Sequence, residues 1–216
     1  MEILNEIYKA LQIGNAKLVE AKTREALEGG SVPEEILNKA LIASMEELGI
    51  KFKNGEVFLP EVMMAARAMQ AALNILKPKL VETGVKPVGK AVIGTVKGDQ
   101  HDIGKNLVAM MMIGAGIEVV DLGTDVSPEK FVNAVCENNA QLIALSALLT
   151  TTMPNQAQVI EELKKAGLRE KVKVMIGGAP VSENYAKEIG ADAYAPDAGS
   201  AAMKAKELIL EQVRKD

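Results

Sequence analysis

Apolar residues recur at helical spacing along the first part of the chain and in short runs along the rest. Ile3, Ile7 and Leu11 fall on one face of a first predicted helix. Leu18, Ala21, Glu25 and Ala26 lie in a second, which stops at Gly29-Gly30. Ser31 with Glu34 three positions on has the form of a capping box. The helix it opens sets Ile36, Leu37, Ala40, Leu41, Met45 and Leu48 at core spacing and is expected to end at Gly49. Leu59-Pro60 starts a fourth, with proline in the first turn and Val62, Ala65, Ala66, Met69, Leu73 and Leu76 repeating along it. Four amphipathic helices with short connections predict an all-α four-helix bundle.

Pro78, Gly84 and Pro87 punctuate the stretch from Lys77 to Lys90, which reads as a linker. Beyond it the period changes. Apolar strands are predicted near Ala91–Val96, Glu118–Leu122, Leu142–Ser146, Val172–Ile176 and Ala193–Ala195, with helical patterns between them and a last one over Ser200–Val213. Short strands buried on both faces and separated by helices imply a parallel sheet. The expected architecture is a helical domain over residues 1–88 and a flavodoxin- or Rossmann-like α/β domain with a five-stranded parallel sheet over 89–216.

Composition narrows the function. The chain has 216 residues, with a net charge of -4 and a pI near 5.3, which argues against nucleic acid or an anionic membrane as the main partner. Aromatic residues are 3% and tryptophan is absent, so stacking on bases is not expected. The one cysteine, Cys136, cannot form an internal disulfide and points to a reducing compartment. It shares a helical pattern with Phe131, Val132 and Val135, so burial is expected. Met63, Met64 and Met110-Met111-Met112 read as adaptable core packing, and Glu161–Lys165 as a solvated helix face. The uncharged stretch 138–160 has an apolar centre, Leu142–Leu149, too short to cross a bilayer. No basic-then-apolar leader is seen, so a cytoplasmic protein is expected.

The single histidine, His101, lies in Asp99-Gln100-His101-Asp102-Ile103-Gly104, just after the first strand. A helix opened by Gly104-Lys105-Asn106 follows. Open α/β sheets bind ligands at the carboxyl ends of their strands, so the histidine stands on the ligand side. The Asp99 carboxylate can take one ring N–H and leave the other nitrogen for a metal. Taken alone, a loop histidine reads first as a capping or hydrogen-bonded surface residue. Three further features end strands on the same edge: Ser146-Ala147-Leu148 with Thr150 and Thr152, Gly177-Gly178-Ala179, and Ala195–Gly199. Glycine there permits close approach of backbone to a bulky ligand.

Asp99/His101/Gly104, Ser146/Leu148 and Gly177/Gly178 match in order the Asp-x-His-x-x-Gly, Ser-x-Leu and Gly-Gly motifs of corrinoid (vitamin B12) binding domains of methyltransferases, which the chain resembles. Phe52-Lys53-Asn54-Gly55-Glu56-Val57-Phe58-Leu59-Pro60-Glu61-Val62 is similar to a segment of the helical cap of methionine synthase and of stand-alone corrinoid proteins. The resemblance covers almost the whole chain.

It implies cobalamin or a related corrinoid as cofactor, cycling between cob(I)alamin and methylcob(III)alamin. His101 would be the lower axial ligand of cobalt in place of the cofactor's own base. Asp99 would orient it, and Thr152 stands where methionine synthase has a serine that extends the relay. Ser146, Leu148, Thr150, Gly177 and Gly178 would line a slot for the nucleotide tail, with Ala198 and Gly199 on its far side. Asp102, Ile103, Gly104 and Ala179 complete the implied cofactor-binding set. Phe52, Leu59 and Val62 would cover the upper face of the corrin, the alternative being plain bundle core. The chain is too short to hold a substrate barrel as well. The resemblance therefore implies a methyl carrier without catalytic residues of its own. Its implied partners are a substrate:corrinoid methyltransferase, a corrinoid:tetrahydrofolate or coenzyme M methyltransferase, and a reductive activase. The methyl donor is set by the loading enzyme and is not legible in this chain. A B12-dependent sensor is the alternative, but known ones use a tryptophan in the bundle. A radical mutase subunit would not need the 52–62 segment. A flavodoxin-like domain binding no corrin leaves the three motifs unexplained.

Overall fold

A computed structural model describes residues 2–84 and 86–214. It divides into two compact units between Lys86 and Pro87.

The first unit is helical. α1 (Glu2–Gln12) and α2 (Ala16–Glu28) are followed by a continuous rod of α3 (Pro33–Glu35), a π-helical segment (Ile36–Ile42) and α4 (Ala43–Lys53), then by α5 (Leu59–Glu82). Four rods are thus present, and their ends explain where the predicted boundaries shift. α2 closes on Gly30, whose N–H reaches Leu27 O, while Ser31 N–H reaches Ala26 O. Ser31 is therefore spent on closing α2 and does not cap α3; Val32 is the N-cap, with Pro33 in the first turn. Gly49 does not end its helix. It is buried inside α4, and the stop comes at Asn54 and Gly55, where Glu56 N–H bonds Lys51 O and Gly55 N–H bonds Phe52 O. Pro78 does not start the linker either. Leu76 and Leu80, one turn apart, are both buried, and the apolar face carries α5 past Pro78 to Glu82 at the loss of one backbone hydrogen bond. Met64 points outward at 45% exposure, against the core packing expected of it.

The second unit is a five-stranded parallel sheet of β1 (Lys90–Thr95), β2 (Glu118–Asp121), β3 (Leu142–Ser146), β4 (Lys173–Gly177) and β5 (Ala193–Tyr194), in the order β2-β1-β3-β4-β5. This is the doubly wound flavodoxin-like order. α6 (Ile103–Gly114) packs with α10 (Ala198–Val213), and α7 (Pro128–Asn138) packs with α8 (Pro154–Lys165). α9 (Glu183–Ile189) leads into β5. Alternate residues of each strand point to opposite faces. Val92, Ile143, Leu145, Val174 and Ile176 join Phe131 of α7 and Val159, Ile160 and Leu163 of α8 in one core. Gly94 shares that face, and the Phe131 ring fills the space where its side chain would be. In α7 the buried face is Phe131, Ala134 and Val135. Cys136 lies about 100° further round the helix and is exposed, contrary to the burial its spacing predicted. No described helix is long and apolar enough to cross a membrane.

Candidate functional site

The ends of the three central strands stand in one row. Thr95 pairs with Ser146, and Ser146 with Gly177. From Thr95 the chain leaves the sheet through Val96–Asp102 and re-enters order as α6. The buried Thr95 hydroxyl donates to His101 O at 2.8 Å, which ties the far end of this loop back to its strand. Asp99 N–H donates to Val96 O at 3.1 Å.

Asp99 is the hub. Its side chain is fully buried, and five donors surround its two oxygens. Oδ1 takes His101 N–H at 3.1 Å and His101 Nδ1 at 2.7 Å. Oδ2 takes the Thr152 hydroxyl at 2.6 Å, Leu148 N–H at 2.8 Å and Leu149 N–H at 3.3 Å. Thr152 also lies 2.9 Å from Leu149 O, but a hydroxyl has one proton, and the carboxylate is the stronger and nearer acceptor. Burial pushes the Asp99 carboxyl upward in pKa. The hydrogen bonds from Thr152, His101 and Leu148 N–H outweigh burial and hold it well below the usual carboxylate range. These bonds favour Asp99 as an ionised acceptor.

A carboxylate oxygen accepts, so Nδ1–H is the donor of this bond, and in the neutral imidazole Nε2 then carries the lone pair. The His101 side chain is half exposed, and among the described residues Nε2 has no protein partner. Among the described residues no three His, Cys, Asp or Glu side chains cluster to hold a bare ion. One imidazole can serve only a metal that brings its own equatorial ligands.

The remaining predicted residues divide. Ser146 is half-buried at its strand end; Leu148, Thr150 and Ala179 are exposed just past theirs. Asp102, Ile103 and Gly104 form the exposed start of α6, with Ile103 72% exposed. A Cβ on Gly104 would meet nothing within 4 Å, so this glycine leaves open room that no protein atom uses. Gly178 does the opposite: its φ is +131°, and a Cβ there would lie 1.8 Å from Ala147 O. Its bareness serves the protein's own backbone. Gly177 is tight too, with a virtual Cβ 3.2 Å from Ala195 O. Ala198 and Gly199 are buried in the first turn of α10, which Asp197 caps by accepting from Ser200 N–H and its hydroxyl, both at 2.8 Å. In the helical unit Val62 is buried, while Phe52 and Leu59 are half-buried.

Several contributors carry no signal in the sequence. Leu149 adds its N–H to Asp99 through backbone alone. Lys105, buried in the first turn of α6, binds Asp121 at the end of β2 at 2.5 Å and Asn106 at 2.6 Å. Gln156 spans Leu145 O at 3.0 Å and Gly177 O at 3.1 Å, joining the ends of β3 and β4. Lys105 and Gln156 could be found only by knowing which strand ends are neighbours.

The fold is thus a flavodoxin-like parallel sheet with one carboxylate-anchored imidazole on the edge where its strands end, in a chain with a separate helical unit. Residues 89–205 match the family described as B12 binding domain, and residues 3–77 match a second family of the same description. The chain belongs to the B12-binding proteins. It is 50% identical over 190 residues to dimethylamine corrinoid protein 2 of Methanosarcina acetivorans, covering 88% of this chain and 86% of that one. It is 45% identical to the trimethylamine corrinoid protein of Methanosarcina barkeri, covering 95% of each. Among solved structures it is similar to the methanol:cobalamin methyltransferase complex MtaBC of Methanosarcina barkeri, with a TM-score of 0.87, 30% identity, and coverage of 99% of this chain and 84% of that one.

Proposed function

We propose that this chain is a corrinoid-binding methyl carrier of a methylamine methyltransferase system. The observation that carries the reading is the His101 pair: a half-exposed imidazole whose Nδ1 is fixed by a buried, ionised carboxylate and whose Nε2 is free. The relatives named corrinoid proteins of dimethylamine and trimethylamine support it.

A bound corrinoid supplies a cobalt centre that can accept a methyl group and give it up. The residues present fit such a group. Nε2 of His101 is a nitrogen donor without a protein partner among the described residues, and Gly104, three positions on, leaves open space. His101 would hold the cobalt through Nε2. Asp99 holds the Nδ1 proton, and with it the tautomer and ring orientation; Thr152, Leu148 and Leu149 fix Asp99 in turn. Ser146, Leu148, Thr150 and Ala179 would receive the nucleotide tail, with Gly177 and Gly178 as the backbone beneath them and Ala198 and Gly199 behind. Asp102, Ile103 and Gly104 stand beside the axial nitrogen. In the helical unit the half-buried Phe52 and Leu59 would be available to a bound corrin, with the buried Val62 behind them.

One methyltransferase loads a methyl group from a methylated amine, a second passes it to tetrahydrofolate or coenzyme M, and a reductive activase restores the carrier. All act in the cytoplasm. The test is reconstitution of the purified full chain with methylcobalamin, with absorption recorded in the dark and after illumination, beside His101→Ala. Stoichiometric binding with a histidine-on spectrum that the variant loses is expected. Absence of binding by the folded chain would overturn the reading.

A further inference from the structure

We propose that Asp125, on the loop after β2, is a positioning residue that sets where the His101 imidazole stands. Its consequence for cobalt rests on the ligand role proposed for His101; its effect on the imidazole does not.

Among the described residues only Asp125 and Asn139 have positive φ without being glycine, at 54° and 50°. Such backbone is uncommon outside glycine, and it asks for a reason where it occurs. Asn139 has one, as the left-handed cap that ends α7. Asp125 ends no helix. What its conformation achieves is a double grip on the histidine loop. Its Oδ1 accepts Gly98 N–H at 2.7 Å, and its own N–H donates to Asp99 O at 3.0 Å. Two consecutive residues just before His101 are held by one residue.

Neighbouring bonds extend the grip. Thr95 N–H donates to Gly123 O at 2.9 Å, and Val126 N–H to Thr95 O at 3.0 Å. The Thr124 hydroxyl donates to Gln100 Oε1 at 3.1 Å. Asp99 is thereby held from two sides. Its backbone is fixed by the loop after β2, and its carboxylate by Leu148, Leu149 and Thr152 after β3. The imidazole hangs on that carboxylate by a 2.7 Å bond. A shift of the Asp99 backbone must move the ring or break this bond. Ligand geometry tolerates only about 0.5 Å of such drift.

The chain has a single histidine, so the imidazole is its own reporter. The experiment compares the full-length wild type with D125G and D125N. D125G keeps the left-handed backbone at ease and removes the acceptor. D125N keeps an Oδ1 acceptor on a residue that also tolerates this backbone. The first readout is ¹⁵N and ¹H NMR of the cofactor-free chain, following the Nδ1 proton bonded to Asp99. The second is Co(II) EPR of the cobalamin-loaded chain, following nitrogen coupling from below.

D125N is expected to match wild type in both. D125G is expected to shift or lose the Nδ1 proton signal and to turn the histidine-on form from dominant to minor. If D125G leaves both signals as in wild type and lowers only the unfolding midpoint, Asp125 is merely structural and the proposal is overturned. If D125N is as altered as D125G, the acceptor role is overturned. D125E, which keeps the charge but displaces the carboxylate by one methylene, must shift the same signals in the same direction, and serves as the second displacement if D125G does not fold. Failure of the wild type to bind cobalamin would remove the ligand reading, while the NMR comparison would still decide the positioning role.

Discussion

The ends of β1 and β4 lie on the same edge of one sheet and solve opposite problems. At the end of β1 the polar groups gather on one carboxylate. Five donors converge on Asp99, and Nε2 of the half-exposed His101 has no partner among the described residues. At the end of β4 the backbone is packed against its neighbour. Gly178 lets backbone meet backbone so closely that even a methyl group would overlap Ala147 O. The first region leaves one nitrogen unpartnered among the described residues; the second is tight backbone packing. The glycines of the two motifs therefore differ: a side chain at Gly104 would meet open space, and one at Gly178 would meet the backbone of Ala147.

This contrast can be broken most forcefully at Gly178. G178A forces a side chain onto a φ of +131° and against a carbonyl. Strained backbone and overpacking each cost about 1–3 kcal/mol. A loss on the order of 3 kcal/mol or more is expected in urea denaturation, with or without corrinoid. A wild-type midpoint would mean the two backbones are free to separate.

Next in size is Asp99→Asn. It keeps the shape but removes the charge and turns one acceptor into a donor facing other donors. Hydrogen bonds to charged groups contribute about 1.5–3 kcal/mol, and a loss in that range is expected. The pH dependence gives a second reading of the same variant. The folded carboxyl lies below the unfolded value of about 3.9. Its contribution is therefore fully present above that value and is lost as pH falls through it toward the folded pKa. Acid titration of stability should be shallower in D99N than in wild type below about pH 4; equal slopes would show that Asp99 is not held ionised.

Thr152 gives a smaller effect. T152V should cost about 1.5 kcal/mol by thermal or urea unfolding, the low end for one hydrogen bond to a charged group, and T152S should restore most of it. Equal losses in both would place the effect in packing instead of the hydroxyl. Gly104→Ala should change stability least, by no more than about 0.5–1 kcal/mol and in the stabilising direction, since the methyl meets no protein atom. It should nonetheless weaken cobalamin binding measured by titration. Unchanged binding would show that the open space is not used.

Much of this was legible in the sequence. Every strand appears within a residue or so of its predicted span, because buried parallel strands are short apolar runs bounded by turn residues. The Asp99–His101 pair was legible because both partners lie on one short loop. What was hidden depended on distant neighbours or on how a helix ends. Ser31 with Glu34 has the letters of a cap, yet its N–H was already committed to closing α2. Pro78 punctuates the sequence, yet Leu80 keeps α5 going. Cys136 shares an apolar spacing with Val132 but falls off the buried face by one position. Gly178 was read as room for a ligand, and its crowding by Ala147 required β3 and β4 side by side. Asp125 and Lys105 could not be placed without knowing that β2 is the neighbour of β1.

The central claim is that Nε2 of His101 is the protein's ligand to cobalt. Co(II) EPR of the cobalamin-loaded chain, prepared with natural-abundance and with ¹⁵N-histidine, tests it directly. The account predicts a single nitrogen coupling that changes from a triplet to a doublet pattern with the label and disappears in His101→Ala. A coupling that ignores the label, or survives in the variant, would show that the nitrogen below cobalt belongs to the cofactor and not to this histidine.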